Sequence, residues 1–291
     1  MKEMTVEVAC PLCNEDSNYP YRFEQRFVNK ESVSLGLNNC KKCNLQYISP
    51  RLNQEAISTL YNEDYLTKTV SGANHVDQTV SIKEYQKFKS YLLKMLPEGG
   101  HILDVGCGVG NMLKQIRDCK QFEGSGVEIS HDAAERARKD GFDVFEGNLL
   151  EAKLKEESFD GVILLYVLEH VNNPLEVLNE INRILKKKGF LFLAVPNYRY
   201  LKIAFDNVFS RLFLKNSSIH PEEHLQNFTP VTIRKILQKA GFEIIEENCA
   251  KPLAIGNFAA RMFKNAMYLF VKTLSVLGYN IGGIHIIARK N

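Results

Sequence analysis

The run His101-Ile-Leu-Asp-Val-Gly-Cys-Gly-Val-Gly-Asn111 leads an apolar stretch into Asp104 and then sets glycines at 106, 108 and 110. Glycine tolerates positive φ and carries no Cβ, so a chain leaving a strand here can press its backbone against a ligand. A helix opening directly after it would offer free amides to an anion. Glu128 closes Phe122-Glu-Gly-Ser-Gly-Val-Glu-Ile-Ser130, roughly 20 residues past the glycines, where a carboxylate can accept both hydroxyls of a ribose. Asn148 closes Asp143-Val-Phe-Glu-Gly-Asn148, where an amide can hydrogen-bond an adenine amino group or ring nitrogen. Cys107, Ile129 and Leu149 flank these positions and join the expected contact set. The chemistry implied is binding of a nucleoside cofactor.

A fourth run, Ser158-Phe-Asp-Gly-Val-Ile-Leu-Leu-Tyr-Val-Leu-Glu-His-Val171, delivers Tyr166, Glu169 and His170 to the same edge. His170 titrates near neutral pH and can take a proton from a nucleophile, or it can simply cap the strand end. A second histidine cluster lies in His220-Pro-Glu-Glu-His-Leu-Gln-Asn-Phe-Thr-Pro230. Two histidines four apart bind a metal only on a helix, and Pro221 fits a helix start better, so His224 is read as a pocket residue or as a hydrogen-bonding lid residue.

Cys10-Pro-Leu-Cys13 and Cys40-Lys-Lys-Cys43 form two C-x-x-C pairs, the pattern of a zinc ribbon. Four thiolates suit a tetrahedral ion, and so small a ribbon has too little apolar mass to fold without one. A disulfide reading is weaker. The chain begins Met-Lys-Glu-Met-Thr-Val-Glu-Val with no apolar signal segment, and Cys107, Cys119 and Cys249 have no obvious partners. A reducing, cytoplasmic compartment is therefore expected.

The elements that must position these groups alternate between strand and helix. After the four strands come a helix from Pro174 to Lys187, with Lys186 to Lys188 as its cationic end, a stop at Gly189 and a fifth strand to Pro196. A helix from Pro230 to Ala240 ends at Gly241, and strands follow at Phe242 to Asn248 and Gly283 to Arg289. This order is an α/β doubly wound open sheet. The 291 residues, 45% of them hydrophobic, can bury one such domain and a small appendage. The expected division is a ribbon over 1–50, a helical connector or cap over 51–95 that opens with a helix from Pro50 to Tyr61, and the sheet domain over 96–291. Apolar insertions fall near 198–228 and 252–280. The second contains Arg261, Lys264 and Lys272, too many charges for a bilayer span. It reads first as a lid or dimer helix, and otherwise as a segment lying on a membrane surface or over a lipid-like substrate.

The loop D-x-G-x-G-x-G differs from the G-x-G-x-x-G of dinucleotide sites. Together with the strand ends at Glu128, Asn148 and Tyr166 it resembles the class I S-adenosylmethionine-dependent methyltransferases, over roughly residues 80 to 291. That resemblance implies a Rossmann-like seven-stranded sheet with its last strand antiparallel, and S-adenosylmethionine as cofactor; Asp is more usual than Asn at position 148. It implies that the segment before the first strand folds over the cofactor, so that Tyr61, Tyr65 or Tyr85 contacts the methionine part or packs between domains. Small-molecule members carry a Glu-His pair like Glu169-His170 and an H-x-x-F-[FT]-T-P stretch. In them Thr229 and Pro230 would start a helix, with His224 and Phe228 facing the pocket.

The acceptor implied is a small molecule, sugar, or glycan or lipid-linked intermediate methylated on oxygen. Sugar C-methyltransferases with a four-cysteine module carry a further large domain after this one, which argues against C-methylation. RNA methylation is an alternative, since some ribosomal RNA guanine methyltransferases bear a zinc ribbon. A net charge of +3, and Glu15, Asp16, Glu24 and Glu31 in the ribbon, argue against a nucleic-acid partner. A non-catalytic cofactor-binding scaffold remains the alternative of a different class, and a nicotinamide-dependent dehydrogenase is disfavoured by the glycine spacing.

Overall fold

The structure, a computed structural model, describes residues 4–16, 18–28, 31–53, 56, 80–197, 224–249 and 283–291. The long aliphatic runs form strands buried on both faces. In β6 (Gly100–Val105), Ile102 and Leu103 are both buried, and they belong to opposite clusters of the core. Successive side chains on a strand alternate faces, so such a run needs a covering layer on each side.

The remaining strands of the large sheet are β7 (Phe122–Glu128), β8 (Asp143–Glu146), β9 (Phe159–Leu165), β10 (Leu185–Val195), β12 (Phe242–Cys249) and β13 (Ile284–Lys290). Their order is β12-β13-β10-β9-β6-β7-β8. β13 runs antiparallel to both β10 and β12, while the pairs from β10 through β8 are parallel. The seven-stranded doubly wound sheet with an antiparallel last strand is therefore as expected.

One face is covered by α1 (Ile82–Met95), α2 (Asn111–Arg117) and α3 (His131–Lys139), through Phe88, Leu92, Met112, Leu113, Ala134 and Ala137. Ser81 caps α1 by accepting the Glu84 amide, as a polar residue with extended φ/ψ does at a helix start. The other face is covered by α4 (Pro174–Ile184) and α5 (Pro230–Lys239), through Val177, Leu178, Ile181, Ile233, Ile236 and Leu237. Thr229 caps α5 in a reciprocal capping box with Thr232, and Pro230 sits in its first turn, where a missing N–H costs nothing.

The amino-terminal part contains β1 (Thr5–Val6), β2 (Asn18–Val28), β3 (Glu31–Cys40), β4 (Gln46–Ile48) and β5 (Arg51–Leu52). β2, β3 and β4 form an antiparallel sheet whose fourth strand, β11 (Gln226–Asn227), comes from the segment that leads into α5. Tyr47 pairs with Gln226, Gln46 with Asn227, and the Ile48 amide donates to the Leu225 carbonyl at 3.0 Å. Lys235 and Lys239 of α5 donate to the carbonyls of Cys43 and Leu12. The ribbon is thus sewn to the sheet domain by backbone pairing.

Two local expectations change. The helix after Asn173 ends at Ile184 because Leu185 is extended and fully buried, turning the chain at once into β10. Lys186 to Lys188 lie in that strand, exposed, and Lys186 reaches Asp160 at 2.8 Å. The stretch from Pro50 does not begin as a helix, since Arg51 and Leu52 pair with β1. Its residues 57–61, with Tyr61 and Tyr65, His220 and Pro221, and the stretches 198–214 and 252–279, lie outside the described residues.

Candidate active site and metal centre

The carboxyl ends of β9, β6, β7 and β8 lie side by side, and strand order reverses about β6, the place where open α/β sheets form a ligand crevice. Gly106, Gly108 and Gly110 leave β6 with φ of 73°, 54° and 83°, all in the left-handed region that glycine enters at no steric cost. A Cβ at Gly106 would run into Val167, and one at Gly110 would press on Phe142, whereas one at Gly108 would meet nothing within 4 Å. Gly110 caps the start of α2, a helix whose first amides find no carbonyl within the helix itself.

Glu128 is buried at the end of β7. Its Oε2 accepts the Gly108 amide at 2.8 Å and its Oε1 the Ser130 amide at 2.8 Å. Burial pushes its carboxyl above the ordinary range, and the backbone donors only partly offset this. Each carboxylate oxygen keeps a lone pair for a ribose hydroxyl. Asp104, buried beneath the loop, is pushed up to about 7 by burial and then by the charge of Glu128.

Ile129 is 59% exposed beyond Glu128, a flat apolar surface suited to a base, while Leu149 and Cys107 are buried. Burial, with Asp104 and Glu128 nearby, raises the Cys107 thiol, which keeps it protonated and unreactive. Asn148 is exposed, and its Oδ1 accepts the amides of Leu150 and Glu151 at 3.0 Å. Its carbonyl therefore serves the local turn, leaving the NH₂ as the end that can face a base nitrogen.

At the end of β9, Tyr166 adopts φ 56° and its hydroxyl donates to Glu84 Oε1 at 2.6 Å. His285 Nε2 meets the same oxygen at 2.7 Å, and Lys87 Nζ lies 3.2 Å from His285 Nδ1. Nothing in the local sequence marked Glu84 or His285; they meet because α1 and β13 flank the same strand end. Tyr85 packs, partly buried, against the core beneath α1.

Three residues past Tyr166, Glu169 is 1% exposed and neither carboxylate oxygen has a hydrogen-bond partner among the described residues. Burial pushes it up to about 8. His170 Nε2 lies 3.9 Å from Glu169 Oε1, and the rings of His170 and His224 stand edge to face with centroids 4.7 Å apart. The Leu225 and Gln226 amides both donate to the Glu169 carbonyl, which brings the His224 segment here. His170 and His224, far apart in sequence, thus share one cluster. Phe228 does not face it: fully buried, it joins the core with Ile233 and Leu237, because the turn into α5 points it under the sheet.

The Sγ atoms of Cys10, Cys13, Cys40 and Cys43 lie within 4.8 Å of one another, with Cys10 to Cys43 at 3.5 Å and Cys13 to Cys40 at 3.4 Å. The edge of a tetrahedron with zinc–sulfur bonds of about 2.3 Å is about 3.8 Å, so the set fits such an ion. Asn14 and Asn44 follow the second cysteine of each pair with φ of 59° and 63°, and their amides return to the carbonyls of Cys10 and Cys40. The two knuckles are the same turn made twice.

The fold and this crevice are those of a class I methyltransferase-type sheet. The chain belongs to the family described as methyltransferase domain, whose model matches residues 77–247. It is 28% identical over 200 residues to 24-methylenesterol C-methyltransferase 2 of Arabidopsis thaliana, covering 63% of this chain and 51% of that protein. Against two further curated relatives the chain spans 19% and 45% of their length. Among solved structures, the 1,6-didemethyltoxoflavin-N1-methyltransferase of Burkholderia thailandensis shares the fold with TM-score 0.56 at 13% identity, covering 92% of this chain and 99% of that one. The [4+2]-cyclase SpnF shares it at TM-score 0.57 and 16% identity, covering 83% and 98%.

Proposed function

We propose that this chain is an S-adenosylmethionine-dependent methyltransferase that methylates a hydroxyl of a small molecule, sugar, or glycan or lipid-linked intermediate. The observation that carries the acceptor side is the Glu169, His170 and His224 cluster at the carboxyl end of β9, beside the glycine loop of β6. The cofactor supplies an activated methyl group, so the protein's work is alignment and removal of the acceptor's proton. In this reading Gly106, Gly108 and Gly110 admit the cofactor's backbone side, Glu128 holds the ribose, and Ile129 and Asn148 hold the base. Tyr166, Cys107, Leu149 and Asp104 shape the floor. His170, beside Glu169 and His224, promotes loss of the acceptor's proton. Residues 1–50 form the ribbon, 51–95 the connector and 96–291 the catalytic part, with zinc as the ion of the four thiolates.

A fold shared with a cyclase is not an activity, and a non-catalytic cofactor binder keeps the same crevice. Side-by-side calorimetry with S-adenosylmethionine, S-adenosylhomocysteine and NAD separates the readings. Binding of the first two alone supports the proposal, and binding of NAD alone removes it. His170→Ala and His224→Ala should keep S-adenosylhomocysteine affinity and slow transfer to a hydroxyl acceptor; unchanged transfer in both would remove their role.

A further inference from the structure

We propose that Glu169, His170 and His224 bind a divalent transition-metal ion that receives the acceptor's oxygen. One carboxylate oxygen and two imidazole nitrogens lie within 4.8 Å of one another. Glu169 is the independent sign of a ligand: at 1% exposure, neither of its oxygens has a hydrogen-bond partner among the described residues, and His170 Nε2 lies 3.9 Å from Oε1. Native structures satisfy buried carboxylates, and one left bare calls for an ion or a donor at that point. Two backbone bonds, from Leu225 and Gln226 to the Glu169 carbonyl, hold the third ligand's segment against the first two.

The donor set selects the ion. Two imidazoles with one carboxylate suit Mn²⁺, Fe²⁺, Co²⁺ or Zn²⁺, whereas Mg²⁺ and Ca²⁺ prefer oxygen throughout. Three protein ligands leave open positions, the arrangement of a working site and not of a structural one. An acceptor hydroxyl bound there would release its proton to water more readily, and its oxygen would then attack the methyl carbon as the carbon–sulfur bond breaks toward sulfur. This rests on the proposed function for its role, with the two histidines promoting proton loss as ligands of the ion.

The test equilibrates the full chain with Co²⁺ and reads the metal count and the absorption spectrum. Thiolate ligation gives an intense near-ultraviolet band that nitrogen and oxygen ligation lacks. The expected result is two ions for each wild-type chain. Glu169→Gln and His224→Ala should each hold one ion and keep both the thiolate band and S-adenosylhomocysteine binding. A wild-type chain holding one ion with the thiolate band, or variants that still hold two, would overturn the proposal. Two ions without S-adenosylhomocysteine binding would support the metal site and count against the methyltransferase reading alone.

Discussion

Tyr166 and Glu84, 82 residues apart, are joined by a 2.6 Å hydrogen bond from the phenol to the carboxylate. The bond ties the end of β9 to the first turn of α1, and Tyr166 holds φ 56° to make it. His285 Nε2 must donate to the same oxygen, which leaves Nδ1 to accept from Lys87. Tyr166→Phe removes one donor to a buried charge and should cost about 1.5–3 kcal/mol in urea unfolding. A loss below about 0.5 kcal/mol would mean that His285 alone satisfies Glu84.

Burial by itself would raise Glu84, but hydrogen bonds from His285 and Tyr166 outweigh it and hold the carboxyl below its ordinary value. A depressed folded pKa contributes stability that is complete above the unfolded value of about 4.3 and is lost as pH falls through the folded value. Melting temperature should therefore drop on the acid side, and Glu84→Gln should flatten that limb. A wild-type limb unchanged by the substitution would show that other carboxylates dominate it.

Asp104 has the opposite sign. Its folded value of about 7 lies above the unfolded one, so its contribution is complete below about 3.9 and is lost as pH rises through about 7. The cofactor-free chain should melt higher near pH 6 than near pH 8, about two units apart, and Asp104→Asn should remove much of that slope. The same variant should weaken S-adenosylhomocysteine binding, since the loop above it would lose its charge. Calorimetric scans and titrations at both pH values measure the two effects.

Gly106 and Gly108 have similar φ and different surroundings. Gly106→Ala must adopt a left-handed conformation and displace Val167, and should destabilise by roughly 2–4 kcal/mol. Gly108→Ala carries only the conformational cost, about 1–2 kcal/mol, because its Cβ enters open space. In the proposed function that space takes the ligand, so the folded Gly108→Ala should bind S-adenosylhomocysteine at least roughly tenfold more weakly, each tenfold being about 1.4 kcal/mol. Equal affinity in Gly108→Ala and wild type would place the cofactor elsewhere.

Because β11 pairs with β4, the four cysteines sit next to the strand that follows His224. Chelation, or Cys13→Ser, should loosen that pairing as the ribbon loses its ion. Hydrogen exchange should rise at residues 46–48 and at the amides of Leu225 and Gln226, while β6 stays protected. Uniform protection after metal loss would show that the ribbon folds without its ion.

Much of this molecule was readable along the chain because the requirements are local. A left-handed loop needs glycine at Gly106, Gly108 and Gly110, a metal knuckle needs Cys-x-x-Cys, and an aliphatic run between polar turns needs a sheet covered on both faces. Where local signals compete, the reading fails: Lys186 to Lys188 look like the end of a helix, yet burial of Leu185 starts β10 before them.

The meeting of distant segments was decided only by the tertiary structure. Glu84 and His285 reach Tyr166, and Gln226–Asn227 become the fourth strand of the ribbon, although a two-residue strand has no periodicity to detect. Phe228 turned inward for the same kind of reason, because the capping box of α5 sets the angle at which the chain enters the helix. Sequence by itself determined the residue types that a cofactor loop and a thiolate cluster require, since those constraints act between neighbours. Register between strands, and hence the gathering of Glu169, His170 and His224, depends on packing summed over the whole sheet.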